Sequence, residues 1–347
     1  MPLLNFLPIV LIYLFGLINL FGIRPDLLMP AVTYGGIGII CFIIIRRLSI
    51  YRYFFRSNAT LFYWLSLIFL IGTYFFGVVA NGSRRWLDIG IFQFQPSELL
   101  KIFLIVFLAQ MFAQKRSFMQ QRFLFLRGLM YTVIPAITIF LQPDLGSALI
   151  LGTIFIVMAV HARLPTKQLV VFFSIIVISI PLVWFTLHDY QKGRIQSFIN
   201  PQLDSSGASY NMSQAIISVG SGRVFGKGLG LGKQSQLRFL PEYHTDFAFS
   251  SFMEQFGLLG GGILISLYMT FFTLLFARIM QCMPRGDPDE QYRYYYTLGF
   301  SAFIIVQTCI NIGMNVGILP VAGITLPFIS YGGSSLITFI IGLALLP

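Results

Sequence analysis

Acidic side chains are scarce in this sequence, twelve in 347 residues, and two of them interrupt the apolar segment "YHTDFAFSSFMEQFG" at residues 243–257. A carboxylate in such surroundings loses its hydration unless it faces a watery cavity or a partner, so its presence points to function. Asp246 is the candidate catalytic residue, with His244 beside it and Glu254 further along as supporting residues. Capping of the helix that follows is the structural alternative for Asp246.

Two further apolar segments carry a carboxylate next to a proline. In "FQPSELLKI", Pro96 opens a helix and places Glu98 and Lys101 at i and i+3, on one face, where an ion pair forms. This pair either steadies the helix or takes part in the chemistry, and both alternatives stay open. In "LQPDLGSAL", Asp144 is predicted to cap the helix that follows Pro143, as a supporting residue.

A glycine-rich segment, "GSGRVFGKGLGLGKQSQ" at residues 220–236, interleaves six glycines with Arg223, Lys227 and Lys233. Glycines let main-chain N–H groups approach an anion and the cations neutralise it, which favours phosphate binding. The spacing does not match the nucleotide-binding P-loop pattern. A flexible tether is the alternative, because glycine spacing alone is typical of a linker.

An uncharged segment, "GILPVAGITLPFISYGGSS" at residues 317–335, adds three hydroxyl groups, those of Ser330, Ser334 and Ser335. Proline and glycine tracts at membrane depth are tolerated only where protein buries them or where they line a cavity. We therefore expect a cavity here and count the three serines among the substrate-binding candidates.

The elements that must position these residues are membrane helices. The sequence is 56% hydrophobic and 10% charged, and apolar runs of about 20 residues, enough to cross a bilayer, recur along it. Leu3–Phe21 has no basic leader or small-residue cleavage site and is predicted to be a retained helix. The prediction is one all-α integral membrane domain over residues 1–347 with about ten transmembrane helices: 3–21, 27–45, 60–79, 97–113, 129–142, 145–161, 168–187, 258–280, 295–316 and 332–347.

The orientation of these spans follows from the basic residues of the short loops. Thirteen of them fall on one side: Arg46, Arg47, Arg52, Arg56, Lys115, Arg116, Arg122, Arg127, Arg163, Lys167, Arg278, Arg285 and Arg293. The opposite short loops hold only Arg24, Arg84 and Arg85. The positive-inside rule then predicts that both termini are cytoplasmic and that residues 188–245 form one large extracytoplasmic loop.

Other functional classes find little support. The net charge of +11 is largely accounted for by topological anchors, and no nucleic-acid-binding motif accompanies it. Cys41, Cys282 and Cys309 lie in or at the ends of predicted spans, so they indicate packing rather than a disulfide framework or a metal site. No metal centre is predicted.

Four long motifs identify a family. They are "GSRRWLDIGIFQFQPSELLKI", "QPDLGSAL", "GSGRVFGKGLGLGKQSQLRFLPEYHTDFAF" and "NIGMNVGILPVAGITLPFISYGGSS". In order and topology they resemble the SEDS proteins of bacterial shape, elongation, division and sporulation, RodA and FtsW, and the glycine-rich segment is most similar to RodA. Arg223 and Gln255 stand where this family usually has a glycine and a second glutamate. Neither departure touches Asp246.

The resemblance implies a peptidoglycan glycosyltransferase that polymerises lipid II at the outer face of the bacterial cytoplasmic membrane. A role in cell shape and elongation is expected, and a role in division stays open. The resemblance further implies a class B penicillin-binding protein as the cross-linking partner. It also implies that Asp246 is the essential aspartate, and it matches Glu98, Lys101 and Asp144 to other motif positions of the family. Such an inverting reaction needs a base for the attacking sugar hydroxyl and positive charge for the departing undecaprenyl pyrophosphate.

We therefore expect Asp246 to act as the general base. Basic residues are the candidate pyrophosphate or sugar contacts: Arg194, Arg223, Lys227, Lys233, Arg238 and Lys101. No organic cofactor is expected, and a labile divalent cation, Mg or Mn, is left open.

Two other functions fit the composition. A lipid II flippase or transporter also needs many spans with a polar cavity, although nine of the twelve acids are predicted to lie toward one face rather than around the midplane. A non-catalytic scaffold that recruits the penicillin-binding protein is the third alternative.

Overall fold

The computed structural model describes residues 6–80, 83–88, 93–114, 118–162, 208–237, 239–284 and 286–347, together with residue 90 and single positions between 167 and 199. The predicted span 168–187 therefore lies outside the continuously described residues. The described helices are α1 Leu7–Ile23, α2 Leu28–Arg47, α3 Ser49–Ser57, α4 Ala59–Phe76, α5 Pro96–Ala113, α6 Phe118–Leu141, α7 Leu145–His161, α8 Ala208–Ser221, α9 Lys233–Gln236, α10 Ala248–Gln281, α11 Pro288–Asn315 and α12 Gly333–Leu345.

The all-α membrane prediction is confirmed, because every predicted span within the described residues coincides with a helix. In the described part of the chain, six helices are long and apolar enough to cross a membrane: α2, α4, α5, α6, α10 and α11. Helices α1, α7 and α12 are shorter and apolar. Two predicted starts were too late, since α6 and α11 begin at Phe118 and Pro288, whereas the predicted start at 258 matches the part of α10 that follows its non-helical residue Gly257. Their first turns are too polar to be read as membrane sequence but are compatible with a helix.

Helix α3 and two further features were not predicted. A small antiparallel sheet in the order β1-β2-β3 joins α4 to α5, formed by Val78–Ala80, Ser83–Asp88 and Gln93–Phe94. The predicted loop 188–245 contains α8, whose Met212 and Ala215 are buried in an apolar cluster with Tyr243 and Phe247. This part of the loop is therefore packed structure.

The chain divides into two compact units. The first comprises Met1–Cys41, Gly193–Phe276 and Ile304–Ile340. The second comprises Phe42–Lys192, Ala277–Phe303 and Ile341–Pro347. Within the second unit, α5 is apolar almost all round and is buried along nearly its whole length, as expected of such a helix.

Helix α10 is interrupted at Gly257, whose φ of 64° and ψ of −165° are not helical. A Cβ atom on Gly257 would lie 2.3 Å from the main-chain nitrogen of Gly226, so only glycine allows this close approach. The break brings the glycine-rich segment against the membrane helix.

Candidate active site

Asp246 lies in the first unit, on a tight turn that ends where α10 begins at Ala248. The main-chain N–H groups of Thr245 and Phe247 both donate to the carbonyl of Glu242, at 3.1 Å each. The Thr245 hydroxyl donates to the Glu242 carboxylate at 2.8 Å. The side chain of Asp246 is partly exposed, whereas Phe247 is buried in the apolar cluster. The turn thus presents the carboxylate from a compact, anchored base.

Three consecutive carbonyls of this turn accept hydrogen bonds from other segments. The Tyr331 N–H donates to the His244 carbonyl at 2.9 Å, and the Ser330 hydroxyl donates to the Thr245 carbonyl at 2.6 Å. The Asp246 carbonyl accepts from two side-chain amides of α11. Main-chain rotation at Asp246 would break several of these bonds together, so the position of its carboxylate is tightly held.

The amides belong to an amide ladder, defined as Gln307, Asn311 and Asn315 at four-residue spacing on α11, all fully buried. Asn311 Nδ2 and Asn315 Nδ2 lie 2.9 and 3.1 Å from the Asp246 carbonyl oxygen. Gln307 Nε2 donates to the Thr325 carbonyl at 3.0 Å. Because residues at i and i+4 share one helix face, a single face of α11 supports both the turn and the uncharged segment.

Asn315 also completes the start of α10. Its Oδ1 accepts from the Ser250 N–H at 2.9 Å and from the Ser250 hydroxyl at 2.6 Å. The first N–H groups of a helix lack intrahelical partners, so this amide caps α10 from a neighbouring helix. Capping of this N–H group therefore does not depend on Asp246.

The amide ladder was not predicted from the sequence. The signal was present, because three amides at helical spacing inside a predicted span are costly unless they bond to something specific. What they bond to could not be deduced from the sequence.

The three serine candidates occupy supporting positions. The Ser330 hydroxyl also accepts from the Leu326 N–H at 2.8 Å, so it is engaged on both sides by protein. Ser334 and Ser335 are buried in the first turn of α12. A small pocket lined by Tyr13, Tyr34 and Tyr331 lies beside this segment. Substrate binding by the serines stays a prediction.

Glu254 holds the glycine-rich segment in place. Its carboxylate is buried and accepts from the N–H groups of Gln234 and Ser235, at 2.9 and 3.1 Å, and from the Ser235 hydroxyl at 2.7 Å. The neighbouring Gln255 accepts from the Gly230 N–H at 2.8 Å. A supporting role for Glu254 agrees with this geometry.

The glycine-rich segment inserts its main chain into the break in α10. The carbonyls of Glu254 and Gln255 accept from the N–H groups of Lys227 and Gly228, at 2.9 and 3.1 Å. The N–H groups of residues 258 and 259 donate to the carbonyls of residues 223 and 224, at 2.8 and 3.0 Å. The insertion thus replaces the two helical bonds that the break removes, as a membrane helix requires.

The flexible-tether alternative is therefore wrong for residues 222–232. The N–H groups of Lys227, Gly228 and Gly230 are used internally, so these three do not form an anion cradle. The side chains of Arg223, Lys227 and Lys233 are exposed, and they are the part of this segment that is able to contact a phosphate.

Charged groups surround His244. Burial lowers the pKa of His244, while the nearby carboxylate of Glu242 acts in the opposite direction. Arg24 and Asp26 form an ion pair of 2.7 Å in the connector after α1. The bond to Arg24 lowers the pKa of Asp26, and the bonds to Asp26 and to the Tyr243 hydroxyl raise the pKa of Arg24. The α1–α2 connector is thus part of the electrostatic surroundings of the turn.

Glu98 and Lys101 lie in the second unit and form the predicted ion pair, with 2.6 Å between Oε1 and Nζ. Helix α5 begins at Pro96, as expected. Both side chains are buried, and Lys101 Nζ lies 4.9 Å from the centre of the Phe303 ring. Glu98 Oε2 is buried without a hydrogen-bond partner among the described residues. Such a pair is costly to break, because removal of Lys101 leaves the buried Glu98 without this cation.

Asp144 caps α7, as predicted. Its carboxylate accepts from the Ser147 N–H at 3.1 Å and from the Ser147 hydroxyl at 2.9 Å. Arg85, from β2, approaches Asp144 to 4.0 Å and donates to the Gln142 carbonyl at 3.2 Å. Arg85 was not among the predicted site residues, and its bonds show that strand β2 anchors the α6–α7 turn.

Two predicted site residues, Arg194 and Arg238, lie outside the described residues. Among the residues that are described, no group of three His, Cys, Asp or Glu side chains comes together to hold a metal ion. A divalent cation between substrate and protein therefore stays an open expectation.

Comparison with known proteins places this geometry in context. The cell cycle protein family FTSW_RODA_SPOVE matches residues 2–347. The peptidoglycan glycosyltransferase MrdB of Escherichia coli K12 is 35% identical over 289 residues, which cover 83% of this chain and 76% of that protein.

Solved structures extend the likeness to the fold. A chain of a peptidoglycan synthase complex, described for its coordination of polymerization and crosslinking, superposes with a TM-score of 0.82 at 29% identity and covers 99% of this chain and 95% of its own. The rod shape determining protein RodA of Thermus thermophilus gives a TM-score of 0.71 at 27% identity, with coverages of 99% and 94%.

Proposed function

The chain belongs to the FTSW_RODA_SPOVE family of membrane proteins and is a peptidoglycan glycosyltransferase, and we propose that it polymerises lipid II with Asp246 as general base. One observation carries the assignment of Asp246. The carbonyls of His244, Thr245 and Asp246 are all bonded to other segments, while the Asp246 side chain stays partly exposed. A base held in this way is preorganised for proton transfer.

The proposed reaction is an inverting displacement. The C4 hydroxyl oxygen of one sugar attacks the anomeric carbon of the lipid-linked donor from the face opposite the leaving group. As the new C–O bond forms, the bond from the anomeric carbon to the phosphate oxygen breaks, and its electron pair leaves with undecaprenyl pyrophosphate. Asp246 accepts the hydroxyl proton, which makes the oxygen a better nucleophile in the transition state.

The leaving group requires cations, since two phosphates depart together. Arg223, Lys227 and Lys233 are the exposed candidates among the described residues of the loop. Arg194 and Arg238 are further candidates from the sequence. Their proposed role is to neutralise the diphosphate from the water side of the membrane.

We also propose the cellular setting. The excess of Lys and Arg in one set of short loops supports a cytoplasmic location for both termini, in the bacterial cytoplasmic membrane. The likeness to a rod shape determining protein supports a role in elongation. The likeness to a chain of a complex that polymerises and cross-links supports a transpeptidase partner, a class B penicillin-binding protein.

Polymerisation of labelled lipid II by purified protein tests the assignment. Asp246→Asn keeps the size of the side chain and removes the base, so the rate is expected to fall by about 100-fold or more, with the melting temperature unchanged. Asp287→Asn is the matched control, because Asp287 is exposed in the connector before α11, and it is expected to polymerise normally.

Three outcomes would contradict the proposal. Glycan strands of normal length and yield, made by Asp246→Asn, would show that another group is the base. Movement of lipid II across vesicle membranes by the native protein, without polymer, would favour the transporter. Inactivity of the native protein in both assays would favour the scaffold.

A further inference from the structure

The glycine-rich segment carries exposed apolar side chains that the proposed chemistry does not use. Val224, Phe225, Leu229 and Leu231 are all exposed, Phe225 by 81% and Leu231 by 68%. Arg223, Lys227 and Lys233 are exposed between them, and residues 220–237 contain no acid. We call these seven side chains the loop patch. An apolar surface of this kind on a structured segment marks an interaction site.

The loop patch is held rigidly against a membrane helix. The bonds from residues 258 and 259 to the carbonyls of residues 223 and 224 fix its level along α10. A Cβ atom on Gly222 or Gly226 would lie 2.0 Å from a main-chain oxygen of α10, so the two main chains touch. The patch therefore lies beside the first residues of α10 after its break.

Those first residues face outward and are apolar. Leu258 and Leu259 are both exposed, and the apolar run that they begin continues through a helix able to cross the bilayer. Phe225 directly follows residues 223 and 224, which bond to residues 258 and 259, so it lies close to the level at which this apolar run begins. Apolar side chains at that level meet lipid, and basic side chains beside them reach the headgroups.

We propose that the loop patch inserts into the bilayer leaflet at this end of α10. The apolar side chains enter the edge of the hydrocarbon, and Arg223, Lys227 and Lys233, which are also the proposed diphosphate contacts, bind the phosphate groups of lipid headgroups when no diphosphate occupies them. The absence of acids from this segment matches an anionic lipid surface. The occupant of the patch is thus the lipid leaflet, and the segment is a second membrane contact in addition to the spanning helices.

Spin-label accessibility measures this insertion directly. In a background with Cys41, Cys282 and Cys309 replaced by alanine, the variants Phe225→Cys and Leu231→Cys are labelled in nanodiscs of phosphatidylcholine and phosphatidylglycerol. Collisions with oxygen, which dissolves in the bilayer, are compared with collisions with a water-soluble nickel chelate. Labels at Leu258→Cys and Asp287→Cys are the references for lipid and for water.

The expected result is an oxygen-to-nickel ratio at positions 225 and 231 that is several-fold above that at 287 and close to that at 258. Ratios equal to that at 287 would overturn insertion. Labels that are accessible to the nickel chelate in nanodiscs, and that lose this accessibility only when a partner protein is added, would also overturn insertion. They would indicate a protein-docking surface.

The role of the cations has its own measurement. Adding phosphatidylglycerol to phosphatidylcholine nanodiscs should raise the oxygen-to-nickel ratio of the label at position 225, which means that the label lies deeper in the bilayer. The ratio should not rise when Arg223, Lys227 and Lys233 are all changed to glutamine. Equal depth with and without anionic lipid would overturn the headgroup contact. Asp246→Asn should show native insertion, so failure of the anchor is distinguishable from failure of the proposed catalysis.

Discussion

Replacement of Asn315 by leucine tests whether the amide ladder positions the proposed catalytic turn. Leucine has a similar volume but neither donor nor acceptor. The change removes Oδ1, which accepts from the Ser250 N–H and hydroxyl, and Nδ2, which donates to the Asp246 carbonyl at 3.1 Å. Asn311 still donates to the same carbonyl at 2.9 Å, so the turn is loosened rather than released.

The magnitude follows from the groups that lose their partners. The buried Ser250 N–H at the start of α10 is left without its acceptor, which costs about 1–3 kcal/mol, and the lost bond to Asp246 adds about 1 kcal/mol. The expected total is about 2–4 kcal/mol of unfolding free energy. If the carboxylate shifts by about 1 Å, the polymerisation rate should fall by about 100-fold.

The assay compares the melting temperature in detergent with the lipid II polymerisation rate, measured well below the melting temperature of every variant. Thr308→Val is the matched control, because Thr308 is buried on the same helix and its hydroxyl bonds to the Ile304 carbonyl of that helix at 2.8 Å. Asn315→Leu should melt earlier and polymerise more slowly, whereas Asp246→Asn should lose rate alone. A native rate for folded Asn315→Leu would refute a positioning role.

Two further predictions concern buried charge and pH. Lys101→Met should lower the unfolding free energy by about 3–5 kcal/mol, since it leaves Glu98 buried without this cation. The double variant Glu98→Leu, Lys101→Met should regain much of this loss. Equal stability of the single and double variants in thermal melts would contradict the prediction. The lowered pKa of His244 means that the unfolded chain takes up its proton first, so stability should decrease as the pH falls below about 6.5. His244→Gln should weaken that decrease in melts from pH 7.5 to 5, and an identical pH profile would count against it.

The helices that hold the site could be predicted because membrane insertion imposes a local rule. Apolar runs such as 27–45 and 145–161 satisfy their own main chain as helices, so length and composition suffice to find them. Local contacts were predictable for the same reason: Glu98 meets Lys101 three residues away, and Asp144 caps the helix that follows it. Polar first turns escaped this rule, which is why the start of α6 was placed too late.

Only the tertiary structure decided what holds Asp246. The partners of its carbonyl are 65 and 69 residues away, and Ser330 reaches the Thr245 carbonyl across 85 residues. Sequence periodicity does not predict contacts between residues so far apart, because these bonds depend on how helices and loops pack against each other. The role of the glycines was also decided by packing, since they permit the main-chain insertion at Gly257. The sequence alone determined the membrane class, the family resemblance and the candidate carboxylate, because all three rest on composition and short motifs. The tertiary structure decided how the Asp246 turn is held, because that depends on contacts between segments distant in the sequence.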